Sequence, residues 1–179
     1  GFSYTPAAAG AQTAQYQVCL PAPDAATCDT GTVNITVVAN TLDALDDNFR
    51  APVFAPGVGG TTPSVLGNDT FNGAAVNPLQ VTVNLVGAPA GFSIDDAGVI
   101  TVAGFAPAGA TTLSYALCEL GSTTNCDTAG VQVLIAPDAA DDTASVTGTQ
   151  PGSFNLAAND NVPAGATFIG PGGTDAGLA

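Results

Sequence analysis

The sequence predicts an all-β chain of tandem β-sandwiches, one complete and one divided between the two ends. Three observations carry this. First, the stretch Tyr115 to Ile135, YALCELGSTTNCDTAGVQVLI, recurs near the front as YQVCLPAPDAATCDTGTVNITV, from Tyr16 to Val37. Second, Cys28 and Cys126 lie 98 positions apart, and Cys19 and Cys118 lie 99 apart. That interval is the length of one sandwich domain, repeated. Third, no window holds a helical period; Thr, Val and Ala alternate, punctuated by 22 Gly and 13 Pro, as many short strands and turns require. Hydrophobic residues make up 46% of the 179, but with eight Phe, three Tyr and no Trp or Met the cores are thin.

Taken in order, Phe2 to Pro6 reads as a short strand and Ala7 to Thr13 as a small-residue loop. Ala14 to Leu20 is a strand with Tyr16, Val18 and Leu20 on one face, and Val33, Ile35 and Val37 alternate on the next. Asn40 to Asp47 is a junction, and Asp46-Asp47-Asn48-Phe49 opens a new domain. Val53, Phe54, Val65 and Leu66 are core candidates of its first strands. Gly67-Asn68-Asp69-Thr70 reads as a turn, because Asn and Asp bond their own backbone. Leu79 to Val86 is a strand with Val81, Val83 and Leu85 inward. Gly91 to Val102 is a hairpin around Asp95-Asp96-Ala97-Gly98. Leu113, Tyr115 and Leu117, then Val131, Val133 and Ile135, line the closing pair.

The junction then repeats. Asp141-Asp142-Thr143 matches Asp46-Asp47-Asn48, and Ser153 to Asp160 matches Ser64 to Asp69. The predicted domains are therefore 1–40, a second half; 41–137, complete; and 138–179, a first half. The joint from Ala179 to Gly1 resembles the internal hairpin, with Asp175-Ala176-Gly177 in the place of Asp96-Ala97-Gly98. Three closures are open: the two ends within one chain, the ends of neighbouring chains, or successive periods of a longer repeat protein. Half a sandwich exposes strand edges and an apolar face, which drives association. A head-to-tail filament or longer array is favoured, because closure within one chain must reach back past a whole domain. The expected assembly interface comprises Phe2, Tyr4, Phe154, Leu156, Phe168 and Leu178.

Charge and missing residue types exclude several function classes. Fourteen Asp and Glu119 face a single cation, Arg50, giving a net charge of −14. Nucleic acid is excluded as a partner, since nothing displaces phosphate counterions, and an anionic membrane surface repels the chain. Without His there is no Ser-His-Asp triad or His-ligated zinc, and without Lys no Schiff base or Walker lysine. The Asp residues sit mostly in turn contexts, so no catalytic residue is assigned and no enzyme is expected. No transmembrane run is present, and no membrane insertion is expected.

Four cysteines fall as two close pairs, Cys19/Cys28 and Cys118/Cys126. Repeated even spacing points to disulfides and an oxidising compartment, and the intervals of eight and seven residues do not suit zinc. By strand parity, Cys118 sits on the face opposite Tyr115 and Leu117, so each bridge clasps one hairpin. Among the Asp clusters, Asp46, Asp47 and Asp69, and again Asp141, Asp142 and Asp160, recur at equivalent places. Calcium takes six to eight oxygen ligands of this kind. No Asp-x-Asp-x-Asp-Gly loop is present, and turn capping and solvation are the competing reading. Two sequons, at Asn34 and Asn68, fall where the repeat itself places those residues.

The Asp-Asp-Asn/Thr start, the Leu-x-Asn-Asp turn, the Tyr-x-x-Cys strand and the Cys-Asp-Thr close look like bacterial cadherin-like or Ig-like tandem repeats of large surface proteins. The resemblance covers nearly the whole chain. It implies all-β, tandem Ig-like (Greek-key) β-sandwich domains, one complete and one split between the chain ends. It also implies an extracellular or cell-surface location and a stalk, spacer, sheath or fibre role, sometimes with calcium at junctions. The chain lacks the denser Asp sets of calcium-rich members. The expected function is thus a non-enzymatic structural subunit or repeat of an extracellular fibre, its partner another copy of itself. The alternative is an adhesin stalk or module binding carbohydrate or protein.

Overall fold

A computed structural model of the chain describes residues 2–6, 8–149 and 152–169. It divides into two compact units, Gly1–Thr41 and Leu42–Ala179. In the first, strands β1 (Gly10–Cys19) and β2 (Cys28–Val37) form an antiparallel two-stranded sheet, ten residues against ten from Gly10↔Val37 to Cys19↔Cys28.

The second unit holds β3 (Leu42–Asp43), β4 (Asp47–Phe54), β5 (Gly59–Ser64), β6 (Thr70–Phe71), β7 (Ala74–Ala75), β8 (Val81–Val86), β9 (Phe92–Ile94), β10 (Val99–Ala103), β11 (Gly109–Glu119) and β12 (Cys126–Ile135). One sheet runs β4-β12-β11-β8 and the facing one β5-β10-β9. β4 lies parallel to β12, and the other ladders of these two sheets are antiparallel. Seven strands so ordered make a Greek-key, Ig-like sandwich. The short β3, β6 and β7 form a small third sheet.

Alternation along the strands fills the core. Leu113, Tyr115 and Leu117 of β11, Val131, Val133 and Ile135 of β12, and Val81 and Val83 of β8 are buried, and Ile100 and Val102 meet them from β10. The hairpin at 91–102 forms as its sequence predicts: Asp95 Oδ1 accepts from the N–H of Ala97 and of Val99, and Gly98 takes a φ of +76°, which favours glycine.

Four local expectations are corrected. Val53 is 49% exposed while Phe54 is buried, because adjacent residues of a strand face opposite ways. Val65 and Leu66 are both buried, but on a 3₁₀ turn, Val65–Gly67, capped by the Ser64 hydroxyl; a tight turn escapes strand parity. The first strand begins at Gly10 instead of Ala14 and ends at Cys19. Phe2 to Pro6 joins no sheet. Its counterpart in the complete domain is β10, held between β5 and β9.

The segment after the complete domain begins with a bridge, Asp138↔Asn161. The Asn161 side chain also accepts from the Ala108 N–H and donates to the Ala106 carbonyl, each at 3.0 Å. Residues 141–149, the counterpart of β4, carry no strand.

Candidate functional site

The complete domain is fastened where its opening half, from Leu42 to Phe71, meets its closing hairpin, β11 and β12. Asp69 is 2% exposed. Its Oδ1 accepts from the Leu45 N–H at 2.8 Å. The fully buried Tyr115 hydroxyl lies 3.0 Å from both Asp69 oxygens and 3.1 Å from the Leu45 carbonyl. Beside it, Asn68 donates to the Leu45 and Asp46 carbonyls. Two further bonds cross the same seam: Gly130 N–H to Asp46 Oδ1 at 2.7 Å, and Ala44 N–H to Asp127 Oδ2 at 2.8 Å. Buried polar groups cost little only when paired, and this latch pairs several of them across the seam.

Electrostatics mark the same place. Burial, the charge of Asp69 and that of Asp46 push the Asp47 carboxyl up to about 6, against a partial offset from Tyr115. One Asp47 oxygen is buried with no hydrogen-bond partner among the described residues. Burial also raises Asp69, opposed by its bonds from Leu45 and Tyr115. The Tyr115 hydroxyl is raised by burial and by the charge of Asp69, and so stays a proton donor. Among the described residues no group of three or more His, Cys, Asp or Glu could hold a metal ion. Of the carboxylates expected to ligate calcium, Asp46, Asp69 and Asp160 accept from backbone N–H groups.

Two bonds of this latch have counterparts elsewhere in the chain. In the segment from Asp138 onward, Ala140 N–H donates to Asp160 Oδ1 at 2.7 Å, and Asn159 donates to the Asp141 carbonyl at 3.1 Å. These are the counterparts of Leu45–Asp69 and Asn68–Asp46. On the first hairpin, Thr30 N–H donates to Asp29 Oδ1 at 2.9 Å, as Thr128 N–H does to Asp127 Oδ1. Tyr16, the counterpart of Tyr115, is 49% exposed.

The cysteines lie where parity predicts. Cys19–Cys28 and Cys118–Cys126 are disulfides, each with Cα atoms 4.0 Å apart. Each pair is directly opposed in register, next to a hydrogen-bonded pair closed by Leu20 N–H to Thr27 or by Glu119 N–H to Asn125. That places both bridges at the close-approaching, non-hydrogen-bonded positions of a ladder. Of the residues expected at an assembly interface, Phe2 and Tyr4 are exposed, their rings stacked with centroids 6.4 Å apart. Phe154 is 56% exposed, and Leu156 and Phe168 are half-buried. Leu178 lies outside the described residues, as does the Asp175-Ala176-Gly177 match. Sequence reasoning missed Tyr115 as a polar partner and took Asn68-Asp69 for a self-bonded turn. The signal was present: Asn-Asp recurs at 68–69 and 159–160, each behind an Asp-Asp pair, with Tyr three residues before a cysteine in both hairpins.

No protein-family model matches the chain, and no curated protein matches it. Solved structures that resemble it include chicken VE-cadherin EC1-2, at 21% identity and a TM-score of 0.41, covering 60% of this chain and 58% of that one. Another is a structure of protocadherin gamma B2 extracellular cadherin domains 1-5, at 18% identity and a TM-score of 0.40, covering 73% of this chain and 26% of that one. This chain thus spans less than two-thirds of the length of either.

Proposed function

We propose that the chain is a structural subunit, or one repeat, of an extracellular fibre that grows head to tail by completing divided sandwiches. One observation carries this reading. The chain holds a closing hairpin, β1 and β2, in a sheet of two strands among the described residues, with Tyr16, Val18 and Leu20 exposed. It also holds an opening half, from Asp138, whose β4 counterpart is without a strand. A lone hairpin is marginal in water, and open edges recruit strands. The disulfides support an oxidising, extracellular setting. Among the described residues no helix is long and apolar enough to cross a membrane. The reading needs no catalytic residue and no cofactor.

Electron microscopy and sedimentation of the purified chain at neutral pH test it. Ordered fibres with an axial repeat near two sandwich lengths are expected, and a chelator leaves their length unchanged. Compact monomers at high concentration would sink the reading.

A further inference from the structure

The bonds of the complete domain sort into two sets. Those within the opening half, Leu45 to Asp69 and Asn68 to Asp46, have formed counterparts at Ala140–Asp160 and Asn159–Asp141. The bond within the closing hairpin, Thr128 to Asp127, has its formed counterpart at Thr30–Asp29. The seam bonds of the complete domain join Tyr115 to Asp69, Gly130 to Asp46 and Ala44 to Asp127. Their groups recur as Tyr16, Thr32 and Asp29 on the hairpin, and as Asp160, Asp141 and Ala139 on the opening half. Each half is therefore prepared on its own side of the seam.

Direction follows from the complete domain. Its chain enters beside Asp127, where Ala44 is bound, and leaves beyond Ile135, where Asn161 is bound to Ala106 and Ala108. Asp127 and Ile135 are eight steps apart along one strand, about 26 Å at 3.3 Å per residue. Entry and exit at opposite ends suit growth from copy to copy.

Resting on the head-to-tail reading above, we propose that two copies of the chain share the latch. The Tyr16 hydroxyl of one copy donates to Asp160 of the next. The Thr32 N–H of the first donates to Asp141 of the second, and the Ala139 N–H of the second donates to Asp29 of the first. The pairing covers the exposed Tyr16 ring and lays the 141–149 segment along the open edge of β2, as β4 lies along β12. In β2 the N–H groups of Thr32, Asn34 and Thr36 face that edge, since the hydrogen-bonded pair at Leu20 and Thr27 turns alternate residues outward.

The test uses Tyr16→Phe, which removes one oxygen and keeps the ring, and Asp160→Ala. Tyr16→Phe raises the concentration at which assembly begins about tenfold, the loss of one charge-assisted hydrogen bond. Asp160→Ala, which also removes the acceptor of the Ala140 N–H, raises it at least as much, and the double variant is no worse than Asp160→Ala alone. An equimolar mixture of the two single variants forms dimers at the wild-type onset, because Tyr16 of one meets Asp160 of the other. The melting of the complete domain, whose Tyr115 and Asp69 are untouched, stays at its wild-type temperature in both. Wild-type fibres with an onset unmoved by either substitution would overturn the shared latch and leave head-to-tail growth standing. A wild-type chain that stays monomeric overturns both. If that monomer loses stability in Tyr16→Phe and mixing restores nothing, the halves close within one chain.

Discussion

The β1–β2 and β11–β12 hairpins repeat one pattern, with a Tyr three residues before the first cysteine, the same cross-strand disulfide and the same Asp-Thr after its second cysteine. Their fates differ. Tyr115 is fully buried under β3 and β6 and bonded to Asp69, whereas Tyr16 is half exposed. Leu117 is fully buried, whereas its counterpart Val18 is 62% exposed. β12 carries β4 along its outer edge, whereas among the described residues β2 pairs only with β1. Such a hairpin is thus made by local alternation and its disulfide, but its inner face is buried only where other strands cover it.

Four substitutions or conditions sharpen that contrast. The largest effect is expected from Tyr115→Ala, which removes a filled core position and leaves Asp69 without its hydroxyl. It should cost about 3–5 kcal/mol, read as a lower urea midpoint for the complete domain. Tyr16→Ala should stay within about 0.5 kcal/mol in the dispersed monomer and act only on assembly. Equal losses in the two variants would show the hairpins to be equivalently packed.

Next come the disulfides. Replacing Cys118 and Cys126 by Ala should cost roughly 2–3 kcal/mol in the chain-entropy model, leaving the well-packed domain folded. The same change at Cys19 and Cys28 should melt the first hairpin outright, because two strands hold little else. Amide exchange along β1 and β2 reads this; protection that survives loss of the Cys19–Cys28 bridge would contradict it.

A smaller effect separates the hairpins by pH. Asp47 titrates near 6 in the folded domain, above its ordinary 3.8, and Asp69 is raised as well. A raised folded value means the folded state binds the proton more tightly. The stabilisation is therefore complete below about 4 and is lost as the pH climbs through 6. The complete domain should gain stability as the pH falls from 7 to 5, and Asp47→Asn should flatten most of that slope. Asp43, Asp46, Asp69, Asp127 and Tyr115 are the neighbouring groups that set the shifts. A urea midpoint that falls between pH 7 and pH 5 would reverse the sign of this account.

The smallest effect concerns one glycine. Tyr16 lies across Gly31, where an added Cβ would meet its ring at 2.5–2.7 Å; the position opposite Tyr115 is Ala129. Gly31→Ala should push the Tyr16 ring off the sheet toward the setting of Tyr115 and lower the assembly onset a few-fold. Light scattering against concentration reads the shift, and an onset raised by Gly31→Ala would show that the ring already lies as docking needs it.

Much of this was legible in the residues. Leu113, Tyr115, Leu117, Val131, Val133 and Ile135 face inward as period-two alternation demands, and the Asp95–Gly98 turn forms where its residues allow a positive φ. Both cysteine pairs bridge their own hairpins, because strand parity and short loops leave them opposed. Less legible were Val65 and Leu66, buried together because a 3₁₀ turn interrupts the strand rule, and Phe2 to Pro6, whose strand character has no ladder to express it.

The repeat at Tyr16 to Val37 and Tyr115 to Ile135 is set by the sequence alone: alternation, cysteine spacing and turn chemistry are local. Coordinates were required for Asn68, Asp69 and Tyr115. Their partners lie 22 to 70 residues away, and hydrogen bonds of that span depend on which strands the folded sheets bring together.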